Sequence, residues 1–209
     1  MNADGAPLRI VIVGGGTAGW MAATLMARGF EGRASISVVE SPDIGIIGVG
    51  EGSTPQLRAF FKTLGLAEEA WMPACNATYK NGIAFHGWSE AEGFQSYFHP
   101  FPSAVDAHTQ PAYFHNGRAR RAGLDVEARP DAFFISAALA RDDLAPLPAH
   151  SFPFDIAYGY HFDAHLIGAL LSDYASARGV RRIEATVGGV ETHASGDIAA
   201  LLLADGRRI

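Results

Sequence analysis

An apolar run over residues 8–13 passes directly into Gly14-Gly15-Gly16-Thr17-Ala18-Gly19, and small and apolar residues at helical spacing follow. A second apolar run over 35–39 ends on Glu40. Strand, tight turn, helix and strand in that order predict a βαβ unit. Beyond it, residues 56–64 and 67–72 carry helical patterns, the second halted by Pro73. Residues 77–88 and 97–101 alternate in the manner of strands and leave the βαβ rhythm. Residues 102–130, rich in Pro, His, Gly and Arg, read as loop with a short helix at most. Residues 131–141 read as a helix capped by Asp131. Residues 163–178 form the clearest later helix, with Leu166, Ile167, Leu170, Leu171 and Tyr174 on one face and Gly179 at its end. A strand over 180–185 and a hairpin of 187–190 with 198–203, turning at Ser195-Gly196-Asp197, complete the pattern.

Composition narrows the class. The 209 residues are 48% hydrophobic and 18% charged, which suits a globular chain with a real core. A net charge of −6 without a basic cluster argues against a nucleic-acid partner, and Arg118, Arg120 and Arg121 read as a solvated run. The single cysteine, Cys75, excludes an internal disulfide and reads as a small buried hydrophobe in a reducing compartment. No leader pattern opens the chain, and no run approaches the ~18 apolar residues of a membrane span. A cytoplasmic location with no membrane partner is therefore expected. Residues 204–209 follow a turn signal and read as the opening of another strand, so the chain is expected to be the front part of a longer protein.

The glycine motif carries the first chemistry. In a Gly-x-Gly-x-x-Gly turn between strand and helix, Gly14 permits the turn, Gly16 lets backbone approach a pyrophosphate, and Gly19 allows close helix–strand packing. The helix start adds unpaired N–H groups and partial positive charge. Glu40 falls about 20 residues on, where a carboxylate can hold ribose hydroxyls. The loop over 41–55, with glycines at 45, 48, 50 and 52, is too apolar for a free linker and suits the face of a flat ligand. Ser53 or Thr54 can cap the helix after it, with Pro55 in the first turn. His161 and His165 stand four apart, but without a convincing third ligand they predict no metal site. His99 and His115 read as surface or packing residues, and no serine sits in a hydrolase context.

These residues together resemble the flavin-dependent tryptophan halogenases, FAD enzymes of the glutathione-reductase-type fold. The resemblance spans the chain and rests on Gly14-Gly15-Gly16-Thr17-Ala18-Gly19-Trp20, on Ile47-Gly48-Val49-Gly50-Glu51-Gly52-Ser53-Thr54-Pro55 and on Thr78-Tyr79-Lys80-Asn81-Gly82-Ile83. Tyr97-Phe98-His99-Pro100-Phe101 and Phe162-Asp163-Ala164 extend it. It implies an α/β fold: a three-layer, Rossmann-like FAD-binding domain with an inserted β-containing substrate region, C-terminally incomplete. All of 1–209 would belong to the front of that domain, with 77–160 as the inserted substrate-side region.

The resemblance also implies an activity. Reduced FAD from a separate flavin reductase would form a flavin hydroperoxide with O2, and chloride or another halide would become hypohalous acid. That oxidant would halogenate an electron-rich arene such as tryptophan or indole. FAD would rest on Gly14, Gly16, Thr17, Ala18 and Gly19, with Glu40 and the backbone of Val187 at the adenosine end. Val49, Gly50 and Glu51 would form the strap that links flavin and substrate sites. Lys80 would be the catalytic lysine, with Tyr79, Phe85 and Trp88 as an apolar wall. Spacing alone leaves Lys80 a surface lysine on a strand. Two departures stand: the family's Trp-x-Trp-x-Ile-Pro motif is not in these residues, and its catalytic glutamate and halide segment lie further along. The alternatives are a flavin monooxygenase and an FAD-binding remnant without activity.

Overall fold

The computed structural model describes residues 7–45, 48–92 and 95–209. They fall into two compact units. The first comprises 1–51, 64–76 and 162–209, and the second 52–63 and 77–161.

The first unit is built on parallel strands β1 (Leu8–Val13), β2 (Ala34–Glu40) and a third over Arg181–Glu184, with β2 in the middle. Val13 lies opposite Val39, and Glu40 opposite Glu184, so the strands end level. Helix α1 (Thr17–Phe30) joins β1 to β2, and its Trp20 and Ala23 are buried. Parallel strands need a covered face, and Ile36, Val38 and Val39 meet that need as fully buried β-branched positions. The helix over Ala164–Ser176 packs on α1 and buries Ile167, Leu171 and Ala175. Asp163 caps it: its Oδ1 accepts from the N–H groups of His165 and Leu166 at 2.8 and 3.0 Å. Asp163→Ala should lower stability by about 1 kcal/mol, readable as a shifted denaturant midpoint. The hairpin Val187–Thr192 with Ile198–Leu203 adds Leu203 to a cluster of Val39, Ile183 and Ala185.

In chain order the strands are β1, β2, β3 (Gly50–Gly52), β4 (Thr78–Lys80), β5 (Gly82–His86), β6 (Ser96–Pro100), β7 (Gly159–Asp163), β8 (Arg181–Glu184), β9 (Val187–Thr192) and β10 (Ile198–Leu203). The helices are α1, α2 (Gln56–Leu64), α3 (Glu68–Ala74), α4 (Gln110–Arg121), α5 (Ile135–Arg141) and α6 (Ala164–Ser176). In the second unit β4 pairs antiparallel with β7, and β5 with β6. The Ser53 hydroxyl accepts from the Tyr160 N–H at 3.0 Å, so it is spent on β7 rather than on a helix cap.

Three local expectations change. Helix α3 continues through Pro73 to Ala74 instead of halting there. Residues 110–121 form a 12-residue helix with no buried residue, which is why no apolar stripe announced it. Asp131 sits in a short 3-10 turn, and α5 starts only at Ile135. Cys75 is fully buried, and burial, then the Asp163 charge, push its thiol up to about 11, so it stays protonated. Among the described residues no helix is long and apolar enough to cross a membrane.

Candidate functional site

Three parallel strands that end level leave a crevice at their carboxyl ends, where ligands bind in open α/β sheets. The first unit has a cavity of about 920 Å³ there. Gly14, Gly16, Thr17, Ala18, Glu40, Glu51 and Val187 all line it. Gly14 adopts φ +109, a conformation favouring glycine, and its N–H donates to the Val39 carbonyl at 2.8 Å. Gly19 supports the loop from behind: a Cβ there would lie 1.9 Å from the Gly14 carbonyl oxygen. Gly16 is the N-cap of α1 with no side-chain cap, and the first turn holds no acidic residue. The helix start is thus left for an anion. The Thr17 hydroxyl oxygen is buried without a hydrogen-bond partner. An orphaned donor at a bare helix start fits a dinucleotide pyrophosphate.

At the other end of the loop, the Glu40 carboxylate lies over Gly15, where a Cβ would meet its Oε2 at 1.5 Å. Trp20 Nε1 donates to that oxygen at 3.3 Å, and Arg182 Nε pairs with Oε1. Neither partner was evident from sequence. Arg182 stands two residues before Glu184, the register partner of Glu40, so only strand pairing reveals it. Helix α6 adds His165, Gly168, Ser172 and Asp173 to the wall, equally unannounced. Val49 and Gly50 do not line the cavity. Val49 is 77% exposed, and its carbonyl accepts from the Ala164 N–H at 3.2 Å. Ile46 and Ile47 lie outside the described residues.

Lys80 belongs to the second unit, at the end of β4. Its register partner is Gly159, and that of Thr78 is His161, so Lys80 and His161 share one face diagonally. A Cβ at Gly52 would lie 2.7 Å from Lys80 Nζ and 3.5 Å from His161 Nε2. A side chain at 52 would displace the tip of Lys80. Burial holds the Lys80 ammonium below the usual lysine range. Burial, and then the Lys80 charge, hold the His161 imidazole below its usual range. The ring beside Lys80 is that of buried Phe101, 6.0 Å from Nζ to its centroid. Phe85 and Trp88 do not form its wall; Phe85 stacks on Tyr97 at 4.9 Å, with Trp88 edge-on to both. Tyr79 turns to Tyr158 and Tyr160. Beside the lysine, the Asn81 amide oxygen is buried without a partner, while its Nδ2 donates to Leu144 at 3.0 Å.

The sequence profile of the tryptophan halogenase family matches residues 9–209. Among curated proteins, the chain is 36% identical over 196 residues to tryptophan 6-halogenase SttH of Streptomyces toxytricini, covering 85% of this chain and 37% of that protein. It is also 36% identical over 214 residues to tryptophan 7-halogenase RebH of Lentzea aerocolonigenes, covering 95% of this chain and 40% of RebH. Among solved structures, Xcc4156, a flavin-dependent halogenase from Xanthomonas campestris, superposes with a TM-score of 0.78 at 36% identity, over 98% of this chain and 40% of that one. BrvH, a flavin-dependent halogenase from Brevundimonas sp. BAL3, gives 0.75 at 34%, over 99% and 41%. The chain therefore spans about 40% of the length of these relatives.

Proposed function

This chain belongs to the tryptophan halogenase family, and from that footing we propose that its first unit holds FAD for halogenation of an electron-rich arene such as tryptophan or indole. The observation that carries the reading is the cavity at the strand ends, where a bare helix start, the orphaned Thr17 hydroxyl and Glu40 face one space. Thr17 and the N–H groups after Gly16 would hold the pyrophosphate. Glu40 and the Val187 backbone would hold the adenosine end. When bound, reduced FAD supplies the oxygen activation that converts halide to hypohalous acid. A separate flavin reductase would deliver that reduced FAD, O2 and halide would be co-substrates, and the setting would be the cytoplasm.

In the second unit, residues 77–160 would form the substrate side. Val49, Gly50 and Glu51 would make the strap leading to it. Lys80, depressed by burial toward the free amine, would receive the hypohalous acid and present it to the arene. The apolar ring of Phe101 lies beside it, 6.0 Å from Nζ to its centroid.

Titration of the purified chain with FAD and with NAD, followed by flavin or nicotinamide fluorescence, tests the reading. FAD should bind, and bind more tightly than NAD; the reverse order overturns the assignment. Glu40→Ala in the same assay should cost roughly 1–3 kcal/mol of FAD affinity, the loss of a charge-assisted partner. Unchanged affinity would remove Glu40 from the adenosine end and leave it a structural partner of Trp20 and Arg182.

A further inference from the structure

We propose that Arg182 is a positioning residue of the adenosine end: it bridges the Glu40 and Glu184 carboxylates and so holds Glu40 where it accepts from both ribose hydroxyls of FAD. This inference rests on the assignment of Glu40 to that end. Its own ground is strand register. Glu40 on β2 lies directly opposite Glu184 on β8, and Arg182 stands two residues before Glu184, on the same face of the sheet. Like charges set opposite each other on neighbouring strands repel. The guanidinium stands between them: its Nε donates to Glu40 Oε1, and its Nη2 pairs with Glu184 Oε1 at 3.1 Å. All three residues line the same cavity.

The two arms of the bridge are unequal. The Glu184 side chain is 61% exposed, so solvent screens its pair, whereas that of Glu40 is only 16% exposed. Glu40 is therefore the carboxylate that the guanidinium fixes. Its other oxygen is held as well: Nε1 of buried Trp20 donates to Oε2 at 3.3 Å. Arg207, the next arginine against β8, is engaged with the Glu184 carbonyl at 3.1 Å and with Asp205 Oδ2 at 2.7 Å.

A carboxylate has about four acceptor positions, shared equally between its oxygens. Arg182 takes one on Oε1 and Trp20 one on Oε2, so each oxygen keeps a position for a hydroxyl. The neighbouring 2′ and 3′ hydroxyls of a ribose match such a pair. Without the guanidinium, Glu40 and Glu184 would face each other unbridged. Repulsion would then move Glu40 from its place over Gly15, where a Cβ would meet its Oε2 at 1.5 Å.

The test uses the 209-residue chain as Arg182→Met, as Glu184→Gln and with both substitutions, first in thermal melts without ligand. Arg182→Met should lower the midpoint by about 3 °C in a chain of this length. Adding Glu184→Gln should restore much of that loss, because it removes the repulsion. Losses that simply add overturn the bridge. The same proteins are then titrated with FAD and with its 2′-deoxyadenosine analogue. Arg182→Met should raise the Kd for FAD on the order of tenfold, but that for the analogue by roughly threefold or less, since one hydroxyl partner of Glu40 is already gone. An equal loss for both ligands overturns the proposal and makes Arg182 a general cationic contact for the diphosphate. No loss for either also overturns it and leaves Arg182 a structural residue of β8. Wild-type protein that binds neither flavin sinks the FAD assignment, and the melts then decide separately whether Arg182 holds Glu40.

Discussion

Gly16→Val is expected to leave the first unit folded and to remove its affinity for FAD. Gly16 has φ −72 and ψ 176, extended backbone that valine adopts readily. A Cβ at this position meets nothing within 4 Å, so the native packing has room for the branch. That room is the approach to the N–H groups at the start of α1, where a pyrophosphate must come close to backbone. An isopropyl group there should raise the Kd for FAD on the order of a hundredfold or more, about 3 kcal/mol. Gly19→Ala makes the contrast. Its Cβ would sit 1.9 Å from the Gly14 carbonyl oxygen, a backbone atom that cannot swing aside. That variant should lose thermal stability as well as FAD. Circular dichroism melts and fluorescence titrations of both proteins separate the cases. A Gly16→Val protein that still binds FAD at wild-type strength would place the pyrophosphate elsewhere.

The contrast also shows what could be read from the chain alone. The first βαβ unit was legible because its signals are local. An apolar run, glycines at fixed spacing and a second run ending in an acid each constrain one short stretch, and the strands form over Leu8–Val13 and Ala34–Glu40. Helix α6 and the β9–β10 hairpin were legible for the same reason, one through its apolar face and closing glycine, the other through its Ser-Gly-Asp turn. Helix α4 was not, because a helix that buries nothing leaves no period in its sequence. The candidate site divides in the same way. The glycine loop is a sequence feature. The partners of Glu40 are not: Arg182 is 142 residues away and arrives through the β2–β8 register. His161 likewise meets Lys80 only through the β4–β7 pairing. Phe101 replaces Phe85 and Trp88 beside the lysine, because the β5–β6 hairpin folds those rings onto Tyr97.

Lys80→Ala, carried in a protein extended to the length of the halogenase relatives, should bind FAD and consume oxygen yet give no halogenated arene. The separation follows from position. The glycine loop, Thr17 and Glu40 belong to the first unit, and Lys80 to the second, so the substitution leaves the proposed flavin cradle untouched. What it removes is an amine whose ammonium form burial disfavours, beside an apolar ring. On the proposed reading that amine holds the hypohalous acid near the substrate, and without it the oxidant would escape into solution. Lys80→Arg should fail too, since a guanidinium does not give up its proton to become a nucleophile and its planar fork needs different neighbours. The sign of the pH dependence follows from the same shift. Because the folded protein holds Lys80 below the ordinary lysine range, its free-amine fraction, and with it halogenation, should begin to rise at a lower pH than an ordinary lysine would permit. The measurement is halogenated arene by mass spectrometry and peroxide release from one reaction mixture. The expected result is product reduced by roughly 100-fold or more, the scale of a lost general acid–base group, with peroxide maintained. Halogenation close to wild type in the alanine variant would take Lys80 out of the chemistry and leave it a strand residue packed against Phe101.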